Sequence, residues 1–98
     1  MCGIAGIYDL RGDNRIQRET IIRMIEKIKH RGPDGTNTYM DCNIALGFAR
    51  LGLIDLDNGM QPIANEDGTI ILICNGEIYN YKELRRSMKQ RGHRFRTN

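Results

Sequence analysis

Long hydrophobic runs are absent from this sequence. No stretch of about 18 apolar residues could cross a bilayer, and no charged leader precedes a short apolar segment of the kind found in secretory signals. We therefore expect a cytoplasmic protein that contacts no membrane.

Cysteine is scarce and widely spaced. The three cysteines, Cys2, Cys42 and Cys74, form no C-x-x-C pair, which argues against a metal centre and against a disulfide framework. We expect Cys42 and Cys74 to be buried as small apolar side chains. A glycine-rich phosphate-binding loop is also missing, so no nucleotide or other cofactor site is predicted in these 98 residues.

The residues that are present fit one small domain. The 98 residues are 40% hydrophobic and 28% charged. Residues 1–81 carry 8 basic and 11 acidic side chains, whereas residues 82–98 carry 7 basic and 1 acidic. Because Phe95 is the only aromatic residue in that basic segment, a solvated surface is favoured over a nucleic-acid site.

The N-terminal half alternates strand and helix patterns. The stretch "GIAGIY" predicts a strand at the start of the chain. One helical face then carries the apolar residues Ile21, Ile22, Ile25 and Ile28, and cations followed by Gly-Pro close that segment. This pattern predicts a helix over about 17–30. His30 is expected to be a cation at the end of this helix. The alternative role, a base that takes the proton of the Cys2 thiol, is not favoured.

Three further strands are predicted. "TNTYMD" and "NIALGFARLGLIDL" follow the "GPDG" turn, and "DLDNGMQP" is then a loop. "GTIILICNGEIY" contains five consecutive apolar residues, which predicts a buried central strand that stops at Asn75-Gly76.

A second helix is predicted from "YNYKEL" to "QRG". Asn80 suits the N-cap, Glu83 completes a capping box, and Tyr79 can pack on Leu84 as a hydrophobic staple. Leu84 and Met88 then form an inward face. The mixture of strands and helices indicates an α+β fold.

Cys2 directly follows the initiator methionine. If Met1 is removed, which a small second residue permits, one residue carries both a thiol and a free α-amine. A terminal α-amine is partly neutral near pH 7 and can accept a proton. The sequence thus predicts an N-terminal nucleophile, with an inert residue at a strand start as the alternative.

Two other features suit hydrolysis of a carboxamide. The Asn75 side chain and the Gly76 N–H could stabilise an oxyanion, although "NG" could also be a type I′ hairpin turn. Arg50 lies in an apolar segment and needs a carboxylate, either from a substrate or from an internal partner such as Asp55 or Asp57.

Five motifs carry a family resemblance. Taken in order, "MCGIAGIY", "HRGPDG", "ARLGLIDL", "MQPI" and "NGEIYNYKELR" resemble the class II glutamine amidotransferase domain found at the N-terminus of glutamine-hydrolysing asparagine synthetases. The resemblance covers essentially all 98 residues. It implies an N-terminal-nucleophile αββα sandwich of antiparallel sheets, incomplete in residues 1–98, which form the N-terminal part of that domain.

The resemblance also implies a reaction and a site. Cys2 attacks the side-chain amide of L-glutamine, a γ-glutamyl thioester forms, ammonia leaves, and water releases glutamate. Arg50 holds the glutamine carboxylate and Glu77 helps to bind the substrate. The pocket is lined by Leu51, Gly52, Leu53 and Ile54, and the oxyanion hole is formed by Asn75 and Gly76.

Some family features differ or are missing. Phe48-Ala49 stands where the family commonly has a polar pair, so we expect altered hydrogen bonding beside Arg50. Family members continue after "RTN" with Ser-Asp, whose aspartate binds the substrate amino group. We expect that aspartate, the later strands and an ATP- and Mg-dependent synthetase domain to be absent from residues 1–98. The isolated chain is therefore expected to be inactive or weak.

Exposed apolar strands have a further consequence. Without later strands, "TIILIC" lacks part of its cover, so we expect aggregation, homodimerisation or association with a chain that supplies the rest.

Three classes of function stay open. The first is a glutaminase that supplies ammonia for asparagine synthesis from aspartate, or for another acceptor. The second is a non-catalytic remnant or interaction module. The third is nucleic-acid binding through residues 82–96.

Overall fold

A computed structural model describes residues 1–13, 15–52 and 59–96. Five strands and two helices are found in that part of the chain, and all strand pairs are antiparallel, as the α+β prediction requires. In chain order the elements are β1 (Gly3–Tyr8), α1 (Arg18–Ile28), a 3-10 turn (Lys29–Arg31), β2 (Gly35–Met40), β3 (Ile44–Arg50), β4 (Ile63–Ala64), β5 (Ile71–Leu72) and α2 (Tyr81–Gln90).

The first sheet has three strands in the order β1-β3-β2, so β3 is central. The register pairs Gly3 with Ala49 on one side of β3 and Gly35 with Arg50 on the other. The start of the chain and the start of β2 therefore meet at the C-terminal end of β3. This arrangement brings Cys2 next to Arg50 and Leu51.

Helix α1 covers one face of this sheet. Its side chains Ile21 and Ile25 are 0% and 3% exposed, and a Cβ on Gly47 would collide with Ile25, so the missing side chain lets the helix approach β3. Because side chains alternate along a strand, Ala45 and Ala49 share the face of Gly47. The predicted first helix is confirmed, and Ile21 and Ile25 of its apolar face are buried. Ile22, predicted on the same face, is 43% exposed, so that part of the prediction was wrong.

The opposite face of β3 carries Phe48 and Arg50. Both are buried, at 1% and 7% exposure. The predicted strand "NIALGFARLGLIDL" is observed as β3, which ends at Arg50. Residues 53–58, which contain the rest of that prediction and part of the predicted loop, lie outside the described residues.

The second sheet is a short hairpin, in which Ile63 pairs with Leu72 and Ala64 with Ile71. The prediction of a buried central strand over "GTIILICNGEIY" was wrong. Only Ile71–Leu72 is strand, and Leu72 is 56% exposed. The described part of the chain pairs this strand with β4 alone and places no second layer on it, so its apolar side chains stay in contact with solvent.

Helix α2 begins without the predicted capping box. Asn80 occupies the N-cap with φ −94° and ψ 28° and makes no side-chain capping bond, because that backbone is not the extended conformation from which a cap reaches back. Tyr79 is 93% exposed, so the staple with Leu84 is also absent. The predicted inward face was wrong as well, since Leu84 and Met88 are 39% and 42% exposed. The helix does end before Gly92, whose φ is +95°.

The cysteine prediction was also wrong in two of its parts. Cys42 and Cys74 are free and exposed, because Cys42 lies in the turn between β2 and β3 and Cys74 follows the end of β5. Cys2 is half-buried. Neither helix in the described ranges is long and apolar enough to cross a membrane.

Candidate functional site

The Cys2 sulfur is fixed against the end of β3. The Leu51 N–H donates a hydrogen bond to Cys2 Sγ at 3.2 Å, and the thiol faces the Leu51 carbonyl oxygen at 3.6 Å. These contacts join residues 49 positions apart. They exist because β1 runs antiparallel to β3 and starts where β3 stops. The sulfur therefore has a defined position beside Arg50.

The segment "HRGPDG" supports the same corner from the other side. The Arg31 side chain donates from Nε to the Cys2 carbonyl oxygen at 3.4 Å. The Asp34 N–H donates to the Arg50 carbonyl oxygen at 2.9 Å, and the Asp34 carboxylate accepts the Gly52 N–H at 2.8 Å. One short segment thus holds the backbone on both sides of Leu51.

Gly32 lets this segment lie flat on β3. A Cβ at Gly32 would collide with the Ala49 carbonyl oxygen and lie 2.6 Å from the Arg50 nitrogen. Its φ of −145° is accessible to any residue, so glycine is required here by space and not by backbone conformation. Gly32, which the sequence marks as part of the helix-stop signal, therefore also allows close contact between its own backbone and that of β3.

An open cleft of about 770 Å³ lies beside Cys2. It brings together residues from the N-terminus, the end of β3, the loop before β4 and the segment after β5. The described lining residues are Met1, Cys2, Phe48, Arg50, Leu51, Gly59, Gln61, Cys74, Asn75, Gly76, Glu77, Ile78, Tyr79 and Tyr81.

Most of the predicted site residues line this cleft. They are Cys2, Arg50, Leu51, Asn75, Gly76 and Glu77. Gly52 is not among the lining residues and instead binds Asp34 through its N–H. Leu53 and Ile54 lie outside the described residues, as do Asp55 and Asp57, the proposed internal partners of Arg50.

Phe48 and Arg50 are the two buried side chains of β3 that line the cleft. They lie two residues apart on the face of β3 that points away from α1, and both are buried. A guanidinium in a cleft wall suits a carboxylate ligand, which its planar fork can bind through two parallel hydrogen bonds.

Asn75, Gly76 and Glu77 reach the cleft from an irregular segment. Strand β5 ends at Leu72, and residues 73–77 form neither helix nor strand. The Gln61 side chain binds the backbone of Cys74 through two hydrogen bonds, with Nε2 donating to the carbonyl oxygen at 3.1 Å and Oε1 accepting the N–H at 2.6 Å. This side chain fixes the residue before Asn75.

Away from Cys2, the described ranges hold a basic groove but no metal site. No group of three or more His, Cys, Asp or Glu side chains there could hold a metal ion. Basic side chains on α2, namely Lys82, Arg85, Arg86 and Lys89, border a shallow groove of about 470 Å³, and Arg85 lies 4.7 Å from the centre of the Phe95 ring. Lys82, Arg86 and Lys89 are exposed and Arg85 is half-buried, and all four lie outside the lining of the Cys2 cleft.

Comparison with known proteins identifies the family. The family profile described as "Glutamine amidotransferase domain" matches residues 1–98. The chain belongs to the glutamine amidotransferase family. The family resemblance stated from the five motifs is thereby confirmed.

Three relatives illustrate the similarity, and each match covers 99% of this chain. The glutamine-hydrolysing asparagine synthetases 1 and 2 of Bacillus subtilis (strain 168) are 42% and 46% identical over 99 and 100 residues, covering 16% and 13% of their own lengths. Asparagine synthetase 1 of Arabidopsis thaliana, also described as glutamine-hydrolysing, is 40% identical over 97 residues and 16% of its length. The amidotransferase chain therefore spans about a sixth of these relatives.

Sequence reasoning missed three residues that support the Cys2 cleft. Arg31, Asp34 and Gln61 contribute side chains that bind backbone atoms of Cys2, Gly52 and Cys74, respectively. Their motifs, "HRGPDG" and "MQPI", were recognised only as family markers and as turn or loop signals. A polar side chain that binds a distant backbone leaves no periodic signal, so these contacts need the tertiary structure.

Proposed function

We propose that this chain is the N-terminal part of a type-2 glutamine amidotransferase domain and that Cys2 hydrolyses the side-chain amide of L-glutamine. One observation carries the proposal: the cleft brings the Cys2 sulfur together with a buried arginine and with the Asn75-Gly76 segment. A nucleophile, a carboxylate partner and two oxyanion donors are the groups that amide hydrolysis of an amino acid requires.

Removal of Met1 begins the proposed mechanism. While Met1 is attached, the Cys2 nitrogen is a peptide amide and cannot act as a base. Once it is free, the α-amine takes the thiol proton, directly or through one water, and the sulfur attacks the glutamine amide carbon. The C–N bond then breaks, the ammonium group returns its proton to the leaving ammonia, and a γ-glutamyl thioester remains. Water attacks this thioester and releases glutamate and the thiol.

The remaining cleft residues have distinct proposed roles. Arg50 binds the α-carboxylate of glutamine, and Phe48 supplies an apolar wall beside it where the family commonly has polar residues. Leu51 positions the sulfur through its N–H. The Asn75 side-chain amide and the Gly76 N–H stabilise the oxyanion, and Glu77 helps to hold the substrate. Gly52, Leu53 and Ile54 are proposed to help bind glutamine.

The larger protein context also belongs to the proposal. The chain spans 13–18% of the length of the asparagine synthetases that it matches. We propose that further strands complete an αββα sandwich over the exposed β5 side chains. We also propose that a separate ATP- and Mg-dependent synthetase domain uses the ammonia to make asparagine. No nucleotide role is assigned to the described residues.

A glutaminase assay with cysteine variants tests this function. The protein carrying this sequence, at its natural length, should lose Met1 by mass spectrometry and release glutamate from glutamine. Cys2→Ala should reduce this activity to background, while Cys42→Ala, at an exposed cysteine in a turn, should keep the parent rate. An electrophilic glutamine analogue should label Cys2 alone.

Two results would contradict the proposal. Retention of Met1 in a protein with full glutaminase activity would show that the α-amine of Cys2 is not the base. A Met1-free protein that neither labels at Cys2 nor hydrolyses glutamine would favour the alternative, a non-catalytic remnant or interaction module.

A further inference from the structure

The Gln61 side chain replaces a backbone group in the second hairpin. Its amide makes both a donor and an acceptor contact with the backbone of one residue, Cys74, at 3.1 Å and 2.6 Å. A pair of residues that exchange two such bonds is the repeating unit of an antiparallel ladder. Here the side-chain amide of Gln61 supplies the donor and the acceptor that the backbone of one residue supplies in a regular ladder.

The position of this contact continues the hairpin register. The Asn65 N–H donates to the Ile70 carbonyl oxygen at 3.0 Å, and Ile63 pairs with Leu72. Hydrogen-bonded pairs in an antiparallel ladder recur every second residue, so the next pair after 65/70 and 63/72 is 61/74. The regular strands end at Ile63 and Leu72, yet the Gln61 side chain supplies the next pair in that register.

The segment that follows has few other supports. The described structure gives the backbone of residues 73–77 its hydrogen bonds through Gln61, and Asn75, Gly76 and Glu77 are exposed. Asn75 is joined directly to Cys74. A backbone held at Cys74 therefore sets where the next two residues lie relative to Cys2 across the same cleft.

We propose that Gln61 is a positioning residue, whose side-chain amide holds Cys74 so that Asn75 and Gly76 present their oxyanion donors to the substrate. This inference rests on the proposed glutaminase function. Gln61 acts on the transition state through the backbone and does not bind the ground-state glutamine. Its loss should therefore lower kcat and leave KM nearly unchanged.

The expected size follows from oxyanion-hole energetics. Loss of one preorganised donor costs about 100- to 1,000-fold in kcat, and misplacement of reacting groups by 1 Å can cost about 100-fold. Displacement of a donor segment is less severe than removal of a donor. We therefore expect Gln61→Met, which keeps the side-chain length and removes both hydrogen bonds, to lower kcat about 10- to 100-fold.

Three variants of the natural-length protein test the proposal. Gln61→Met removes both contacts. Gln61→Glu keeps an acceptor for the Cys74 N–H and loses the donor to the carbonyl oxygen, so its kcat should lie between those of the parent and Gln61→Met. Gln90→Met is the matched control, because it makes the same chemical change at an exposed residue of α2 outside the cleft lining.

Two measurements distinguish positioning from general structural damage. Glutamine hydrolysis needs an oxyanion hole, whereas alkylation of Cys2 by iodoacetamide displaces iodide and needs none. In Met1-free protein, Gln61→Met should alkylate within about twofold of the parent rate, and its KM for glutamine should change by less than about threefold. Gln90→Met should match the parent in every assay.

The possible failures are separable. Equal kcat values for Gln61→Met and the parent would overturn the positioning role alone, as would a fall in kcat matched by an equal fall in the alkylation rate. A large rise in KM at constant kcat would assign Gln61 to substrate binding instead. If the parent shows no Cys2-dependent glutaminase activity, both the proposed function and this inference fail.

Discussion

Replacement of Gly32 by alanine should disturb the cleft, although Gly32 is not one of its lining residues. The new Cβ would lie 2.6 Å from the Arg50 nitrogen, 0.8 Å closer than the 3.4 Å at which ordinary contact begins, and it would also meet the Ala49 carbonyl oxygen. Both neighbours are backbone atoms of the central strand, so no side-chain rotation can relieve the collision. The "HRGPDG" segment and the end of β3 must move apart.

The magnitude follows from this displacement. Overpacking of a well-packed site costs about 1–3 kcal/mol, so the free energy of unfolding should fall by about that amount in Gly32→Ala. Separation of the two segments also shifts Arg50, the proposed partner of the substrate carboxylate, and Leu51, whose N–H donates to Cys2 Sγ. A shift approaching 1 Å at reacting groups should lower kcat/KM for glutamine by about 10- to 100-fold.

Gly6→Ala is the control for this experiment. Gly6 lies in β1 of the same sheet, and its nearest neighbours would be 3.6 Å and 3.7 Å from a new Cβ, which is ordinary contact. Because glycine in a strand interior is less favourable than alanine by about 0.5–1 kcal/mol, this variant should be neutral or slightly more stable. Urea unfolding and steady-state glutaminase assays measure both effects. If Gly32→Ala and Gly6→Ala were indistinguishable in stability and activity, the close approach of the two backbones would be refuted.

Three further outcomes are expected. Ile21→Ala, at a fully buried position, should lower the free energy of unfolding by about 2–5 kcal/mol in urea titrations, whereas Ile22→Ala, at a residue 43% exposed, should cost far less. Asp34→Ala should raise the KM for glutamine roughly 2- to 10-fold by releasing the Gly52 N–H, and Asp34→Asn, which keeps an acceptor, should stay near the parent. Hydrogen bonds from its own backbone N–H and from the His93 ring hold the pKa of Glu66 below its ordinary value of 4.5, so the carboxylate stabilises the fold above that pH and the effect is lost as pH falls through the lower folded pKa. Glu66→Gln should flatten this acid limb in stability measured against pH.

Local patterns in the sequence predicted the first sheet and its helix. The spacing of Ile21 and Ile25 has the helical period and indicates which face of α1 is buried, and the apolar run along β3 indicates a strand. Both patterns are satisfied within the described part of the chain, where α1 covers the sheet. The predicted boundaries of β1 and α1 consequently agree with the observed elements within about two residues.

The second half differs because burial depends on what lies next to an element. The run Ile70 to Cys74 has the composition of a central strand, but the described residues provide only β4 as its neighbour. Leu84 and Met88 have helical spacing, yet nothing in that part of the chain covers them. An apolar pattern indicates which face of an element can be buried, but it does not indicate whether another element is present to cover that face.

Several residues of the candidate site could be named from the sequence, whereas the residues that support them could not. Cys2, Arg50 and Asn75-Gly76 were identified from residue type and motif, and all of them line one cleft. The roles of Asp34 and Gln61 depend on contacts over 18 and 13 positions of sequence, respectively. Such contacts are set by strand register, which local sequence patterns do not encode.

The central place of β3 restricts how this region can change. Both edges of Ile44–Arg50 are paired, so a single-residue deletion within it cannot be absorbed by sliding against one neighbour without breaking the match to the other. Every side chain past the deletion would turn to the opposite surface, and the Arg50 guanidinium would be directed toward Ile21 and Ile25. A substitution along β3 therefore changes one face of the sheet and leaves the other intact. An insertion or deletion of one residue would turn cleft-facing side chains toward α1 and α1-facing side chains toward the cleft.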